Sequence, residues 1–353
     1  MDAETEALLR DTGLAGAAHR VDEEWLAGVL DRAYGLSGRL TRLDTEKDAT
    51  YRLRPDTGDD ELLVKVSHPE EPIDVVRCQI DVIAWIEAVD RGIPTQSVRP
   101  ALDGRTWRRL QDETGRFAGI LRVYRFIPGV LLAGEMPSVD QRRAVGAMLG
   151  RVDQALGGFA HPGESPVLAW DLKRFLAFES LIEIEADARR AALAHQVFDA
   201  FRDRVQPQLA TARTQMIHGD FSPYNVVVDH SGDPYVTGVI DFGDTLRGPV
   251  VFDPAVLLGN HLQAAPRHPW EVARDLLDGY RQVFPLTDDE VELVAVASVA
   301  RVALRALIAT WRLERGTDRG DYIRQHARND WDRVANVIDL GFDAARAHLL
   351  HQH

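Results

Sequence analysis

Only one cysteine, Cys78, occurs in the 353 residues. A lone thiol closes no disulfide within the chain, and no cysteine cluster has the spacing of a structural zinc site. The expected setting is therefore a reducing, cytoplasmic one. Basic residues are also short, 41 Lys and Arg against 55 Asp and Glu, for a formal net charge of −14. Proteins that hold nucleic acid by neutralising phosphates, or that sit on anionic membranes, need the opposite balance, so neither partner is expected. The start, Met1-Asp2-Ala3-Glu4, stays polar through Arg20 and lacks the basic head and apolar core of a secretory leader. The most apolar window, Val291 to Ile308, carries Glu292, Arg301 and Arg305, which mark a buried helix rather than a membrane span. Repeats and low-complexity runs are absent.

What remains is a chain with 45% hydrophobic and 27% charged residues, enough for a real core and long enough for two domains. Short strand patterns separated by polar turns run through Arg39–Leu43, Thr50–Leu53 and Glu61–Val66. Apolar residues at helical spacing follow, with Ile73, Val76, Ile80, Ile83 and Ile86 on one face, and Gly119 to Phe126 returns to strand character. The order β-β-β-α-β-β describes a small antiparallel sheet carrying a helix, an α+β arrangement. Phe126-Ile127-Pro128-Gly129 then reads as a connector. Beyond it the pattern predicts helices over Val139–Leu156, Leu172–Phe201, Val291–Arg315 and Trp331–His348, interrupted by two short strand pairs with acidic turns between Met216 and Asp244.

That interruption carries the chemistry. Ile217-His218-Gly219-Asp220 through Asn225 to Val228 places a carboxylate and an amide five residues apart before an apolar strand, and a second strand ends in Ile240-Asp241-Phe242-Gly243-Asp244. Asp229 to Thr237 is long enough to turn the chain back, so pairing of the two strands would gather Asp220, Asn225 and Asp241. Phosphoryl transfer needs such a set: a carboxylate to orient and deprotonate a hydroxyl, and hard oxygen ligands for magnesium. It also needs a fixed cation on the phosphates, and Lys65 stands in an apolar strand where a lysine otherwise has little reason to be.

These motifs resemble the aminoglycoside phosphotransferase-type family of small-molecule kinases, relatives of the protein kinases. The resemblance extends to Leu63-Val64-Lys65-Val66, to Phe126–Gly129 as a lobe hinge, to Trp170-Asp171-Leu172, and to Gly248-Pro249 with Asp253. It covers about residues 40 to 330 and is strongest toward the hydroxylysine kinase-like branch. It implies a two-lobed, protein-kinase-like α+β fold, with an N-terminal helical extension over 1–36, a nucleotide-binding N-lobe over 37–126 and a C-lobe over 127–353. Carried over, Asp220 is the catalytic base, Asn225 and Asp241 are Mg2+ ligands, and Lys65 binds the α/β-phosphates of ATP or GTP. His218 and Asp253 brace the catalytic loop, while Arg122, Val123 and Tyr124 meet the nucleotide base through their backbone. The acceptor is a small hydroxyl compound, with an amine-bearing, hydroxylysine-like amino acid favoured over an antibiotic sugar, homoserine or choline; oligomeric state is not implied.

Two features depart from the family pattern. The first turn, Asp44 to Thr50, is polar rather than glycine-rich, and the helix after Lys65 offers no evident glutamate, leaving Asp81 as the candidate acid. A lysine without an acid is what would support a catalytically silent nucleotide sensor. Asp244 is a candidate for a second metal or the substrate, or else a turn cap; Asp171 is a pocket residue or a helix N-cap. Arg301, Arg305 and Arg312 recur on one helix, where a solvated face is the ordinary expectation and a carboxylate-binding cleft, with Arg305 among its residues, the alternative. A metal hydrolase on His218, Asp220, Asp241 and His261 would need side chains from separate elements to converge on an open site, which their placement does not suggest.

Overall fold

Alternation along the strands sorts the N-terminal third of the molecule into two layers. The computed structural model describes the chain apart from residues 13–18, 46, 59, 113, 317–319 and 351–353, so Glu46 of the first turn and part of the N-terminal extension lie outside the described residues. Strands β1 (Gly38–Leu43), β2 (Ala49–Pro55), β3 (Leu62–Val66), β4 (Arg108–Gln111) and β5 (Phe117–Arg125) form one antiparallel sheet in the order β1-β2-β3-β5-β4. Leu62, Val64 and Val66 point to one face and join Leu121 and Val123 in a cluster capped by Leu26, Leu30 and Tyr34 of helix α2 (Glu23–Tyr34). Leu63 and Tyr124 point to the other face and join the main core of the molecule. Lys65 is the cross-strand partner of Arg122, so by the two-residue period both cations share that inner face.

The inner face looks onto α3 (Ile73–Val89), whose Cys78, Val82, Ile83 and Ile86 continue the main core. Burial pushes the Cys78 thiol up to about 12, so it behaves as a small apolar side chain. The first 36 residues divide between the lobes. Helix α1 (Ala3–Asp11) places Leu8 and Leu9 in the main core, and Thr5 donates to the Ala177 carbonyl at 2.8 Å, whereas α2 belongs to the sheet.

The second lobe is built around helices α4 (Val139–Leu156), α5 (Ala188–Ala200), α6 (Phe252–His261), α7 (Glu271–Val283), α8 (Asp288–Glu314), α9 (Gly320–Leu340) and α10 (Phe342–Leu350). Helix α8 is long and apolar enough to cross a membrane, but 83% of that apolar window is buried inside the protein, against α6, α9 and α10. Two expected helices are broken. The segment Leu172–Phe201 divides into a 3-10 run, Leu172–Ile184, and α5, because Asp187 caps a fresh start by accepting the backbone N–H groups of Arg189 and Arg190. The final helix divides at Gly341, whose φ of 89° ends α9.

Between these helices lie the short strands β6 (Val130–Leu131), β7 (Thr214–Ile217), β8 (Val226–Val228), β9 (Val236–Val239) and β10 (Leu246–Pro249). β8 pairs antiparallel with β9, Val226 opposite Val239, as the turn length requires, and β7 pairs with β10. Helices α4 and α7 cross nearly backbone to backbone. A Cβ on Gly146 would collide with the Leu276 carbonyl, and one on Gly279 with the Arg143 carbonyl. Gly279→Val should therefore destabilise the protein by at least the ~1–3 kcal/mol typical of overpacking, read as a lower midpoint in urea; an unchanged midpoint would show that the helices separate freely.

Candidate active site

The residues that carry the chemistry are held by backbone they did not themselves specify. After β7 the chain turns through His218, Gly219 and Asp220. Gly219 has φ of 80°, and a Cβ there would meet the Asp244 carbonyl, so glycine is required twice over. Asp253, fully buried in the first turn of α6, accepts the His218 N–H at 2.6 Å on Oδ2 and the Gly219 N–H at 2.7 Å on Oδ1. The His218 ring takes the Asp220 N–H on Nδ1 at 3.3 Å and lies 3.2 Å from the Ile240 carbonyl through Nε2. An imidazole protonated on Nε2 alone serves both contacts and bridges the two motif segments.

Behind Asp253 is a second buried acid that the sequence did not single out. Asp153 on α4 is fully buried, and burial together with the neighbouring Asp253 carboxylate pushes it well above the usual carboxylate range. Tyr280 donates its hydroxyl to Asp153 Oδ2 at 2.6 Å. Burial also raises Asp253, but the His218 and Gly219 N–H groups it accepts oppose this, so Asp153 is the acid of the two pushed further up.

The hairpin brings the three chemical residues together. Asn225 donates through Nδ2 to the Asp220 carbonyl at 2.8 Å and to Asp220 Oδ2 at 2.9 Å. Asp241 has a left-handed backbone, φ 59° and ψ 75°, uncommon for a side-chain-bearing residue and the only such case among the described residues. That turn lets Oδ1 accept both the Gly243 N–H at 3.2 Å and the Lys65 ammonium at 3.0 Å. The Lys65 cation holds the Asp241 carboxyl below its usual range. Burial alone would pull Lys65 down, but Asp241 and Asp48 outweigh it and hold the ammonium above its usual range.

The acid partner of Lys65 is thus Asp241, not Asp81. Asp81 lies two residues from Gln79 on α3, about 200° around the helix, and pairs with His161 at 3.3 Å instead. Gln79 takes the inward position: its amide donates to the Gly243 carbonyl at 3.0 Å and its oxygen accepts from Arg122. The backbone role expected of Arg122, Val123 and Tyr124 also needs correction. Arg122 to Tyr124 pair with β3, and the Val123 carbonyl accepts the Arg99 N–H at 2.8 Å, so this stretch offers no free edge to a base. Arg122 acts through its side chain, buried between Gln79 and Asp48.

A cleft of ≈ 500 Å³ opens between the lobes, and Lys65, Asp220, Asn225, Asp241, Asp244, Trp170, Arg301 and Arg305 all line it. Asp171 does not; it caps the 3-10 run by accepting the Lys173 N–H at 3.0 Å. Arg305 is anchored to Asp330 by two bonds of 2.7 Å. Two arginines of the stripe, Arg301 and Arg305, line this cleft rather than a solvated face. Arg301, named with the stripe but not singled out as Arg305 was, is 7% exposed, donates to Asp220 Oδ1 at 3.1 Å, and lies over the Trp170 ring at 4.4 Å. His261 is turned away, bonded to the Leu257 carbonyl in its own helix, and burial lowers it to about 4. Among the described residues no three His, Cys, Asp or Glu side chains form a metal cluster. Asn225 and Asp241 suit an ion that keeps few protein ligands, with one oxygen of each outside the hydrogen bonds above, as Mg2+ does beside phosphates.

Comparison with known proteins agrees with this geometry. Residues 40–289 match the model of the phosphotransferase enzyme family. The chain is 24% identical over 340 residues to mouse hydroxylysine kinase, covering 90% of each, and 23% identical over 326 residues to the zebrafish enzyme of that name, covering 89% of this chain and 91% of that one. Among solved structures, a microcompartment-associated aminopropanol kinase superposes with a TM-score of 0.68 at 18% identity, covering 94% of this chain and 99% of the other. An amicoumacin kinase superposes at 0.65, also at 18% identity, with 94% and 96% covered.

The buried acid pair has a consequence for stability. A carboxyl raised in the folded state loses stability as pH climbs from the unfolded value near 3.8 toward the folded one. Asn at 153 keeps the shape of a neutral acid and still accepts from Tyr280. Asp153→Asn should thus be progressively more stable than the parent as pH rises above 4, followed by melting temperature; a constant difference across pH would show that Asp153 is ionised in the fold.

Proposed function

The chain belongs to the phosphotransferase enzyme family as a kinase with a hydroxyl acceptor, and from that premise we propose that it transfers the γ-phosphoryl group of ATP or GTP to an amine-bearing metabolite of the hydroxylysine type. The observation that carries this is the convergence of Asp220, Asn225, Asp241 and Lys65 in one interlobe cleft. Asp220 orients the acceptor hydroxyl and takes its proton as the hydroxyl oxygen bonds to the γ-phosphorus. The bond from that phosphorus to the bridging oxygen breaks, and the nucleoside diphosphate leaves. Lys65 fixes the phosphates in line with the acceptor. Asn225 and Asp241 would hold Mg2+, which when bound supplies positive charge to the transferring group.

The cleft lining supports an amine on the acceptor. With Asp48 paired to Arg122, Asp44, Glu71, Asp220, Asp241 and Asp244 still outnumber the cations Lys47, Lys65, Arg301 and Arg305, so the wall favours cationic ligands. Lys47 is further engaged by Glu71. The ground for a silent sensor, a lysine without an acid, is gone, since Lys65 has Asp241.

Asp220→Asn should lower acceptor-stimulated nucleotide consumption by roughly 10²- to 10⁴-fold while leaving nucleotide affinity within a few-fold, because it removes the proton acceptor and not the phosphate site. Full turnover in that variant would sink the assignment. Asp241→Ala should cost both activity and the metal-dependent thermal shift with nucleotide; a shift retained at parental size would place the metal elsewhere.

A further inference from the structure

Arg301 is a cation whose hydrogen bonds are half made. Its side chain is 9% exposed; Nη2 reaches Asp220 Oδ1 at 3.1 Å, while Nη1 is buried with no partner. A buried charged donor left unsatisfied is costly, and such a group in a cleft asks for a ligand. Arg305, one turn further along α8, shows the contrast. It spends Nε and Nη2 on Asp330 and Nη1 on Asn260, and so serves the fold.

The surroundings narrow the ligand. The guanidinium lies over the Trp170 ring at 4.4 Å, a cation–π contact that leaves its N–H edge available. A planar fork of N–H donors matches a carboxylate in two parallel bonds. Asp244 lines the same cleft as Arg301, so the lining offers an acid as well as the cation, as a zwitterion requires. Asp220 also has capacity left. Of roughly four acceptor sites on a carboxylate, one takes Arg301, one Asn225 and one the Ser222 hydroxyl at 3.4 Å, so one remains for an acceptor hydroxyl.

We propose that Arg301, seated on Trp170, is the specificity-determining residue that clamps the carboxylate of the acceptor, so that the acceptor is a hydroxylated amino acid whose carboxylate and reacting hydroxyl are held by the adjoining Arg301 and Asp220. This rests on the kinase function proposed above and goes beyond it by assigning the acceptor's second anchor. Amino alcohols and aminoglycosides have no group for this clamp.

The test pairs acceptors with variants. Magnesium-dependent nucleotide consumption is measured with 5-hydroxylysine and homoserine, with their carboxamides, and with 1-amino-2-propanol and kanamycin. A carboxylate acceptor should exceed its own amide by roughly 10- to 100-fold in kcat/KM, the range for a charge-assisted pair. In Arg301→Gln that preference should fall to about unity, and Arg301→Lys should retain only part of it because the fork is lost. Equal use of acid and amide by the parent protein, or a preference for aminopropanol or kanamycin, overturns the clamp and leaves the kinase function standing. An equal loss for acid and amide in Arg301→Gln also overturns it, since Arg301 then acts on Asp220 alone. Should that variant fail to fold, judged by its nucleotide-induced thermal shift, the comparison of acid with amide in the parent decides. Absence of stimulation by every acceptor would instead overturn the hydroxylysine-type function proposed above, and the clamp with it.

Discussion

The cleft is organised by the ion pair that crosses it from lobe to lobe, Lys65 to Asp241 at 3.0 Å. Lys65 stands in an otherwise apolar strand with its side chain 14% exposed, a position that disfavours the charge unless an acid meets it. Asp241 meets it from the end of β9, on the other lobe. Two residues further on, the Gly243 carbonyl takes a second tie, from Gln79 on α3. Both of these ties land on the same three-residue turn, while Asp81–His161, Asp90–Arg151 and the Val239 N–H to the Pro94 carbonyl join the lobes elsewhere. Arg122, side by side with Lys65 on the sheet, has its own ion pair with Asp48.

That turn is itself under constraint. A left-handed Asp241 is tolerated because its carboxylate accepts Gly243 and Lys65 at once, two interactions that an extended backbone would not align. On the opposite side of the cleft, the Asp220 loop is held from behind. Asp253 satisfies two successive backbone N–H groups, and behind it stands Asp153, fully buried and pushed well above the usual carboxylate range. His218 joins the two halves, with one nitrogen on the Asp220 amide and the other at the Ile240 carbonyl. Site geometry is thus transmitted through backbone groups, and the side chains that do chemistry are left with oxygens to spare.

How much of this was legible in the sequence follows chain separation. Asp220, Asn225 and Asp241 lie within one hairpin, so strand length and turn length alone bring them together. The N-terminal sheet was legible for the same reason, since its strands alternate and neighbouring strands are mostly consecutive. Contacts across the lobes were not. Gln79 and Asp81 look equally available along the chain, and only the packed orientation of α3 decides that Gln79 faces the cleft while Asp81 faces His161. Asp153 meets Asp253 across a hundred residues, and no local pattern marks a buried acid for protonation. The split of Leu172–Phe201 had a visible signal in Asp187, a helix-capping residue in the middle of the apolar pattern.

Helix α8 shows how one element serves core and site together. Its apolar faces fill the C-lobe on nearly every side, which is why composition makes it look like a membrane span. The same encasement fixes where its two inward arginines stand, to the precision of a packed core rather than of a mobile loop. Position along the helix then separates their duties. Arg305 faces Asp330 and Asn260 from α9 and α6 and completes its bonds within the protein. Arg301, one turn nearer the Asp220 loop, hydrogen-bonds Asp220 and lies over an aromatic ring, with a donor left over. A buried cation with all its donors matched stabilises a fold; one with a donor unmatched beside a reacting carboxylate is arranged for a ligand, and the rigidity of the helix makes that arrangement selective.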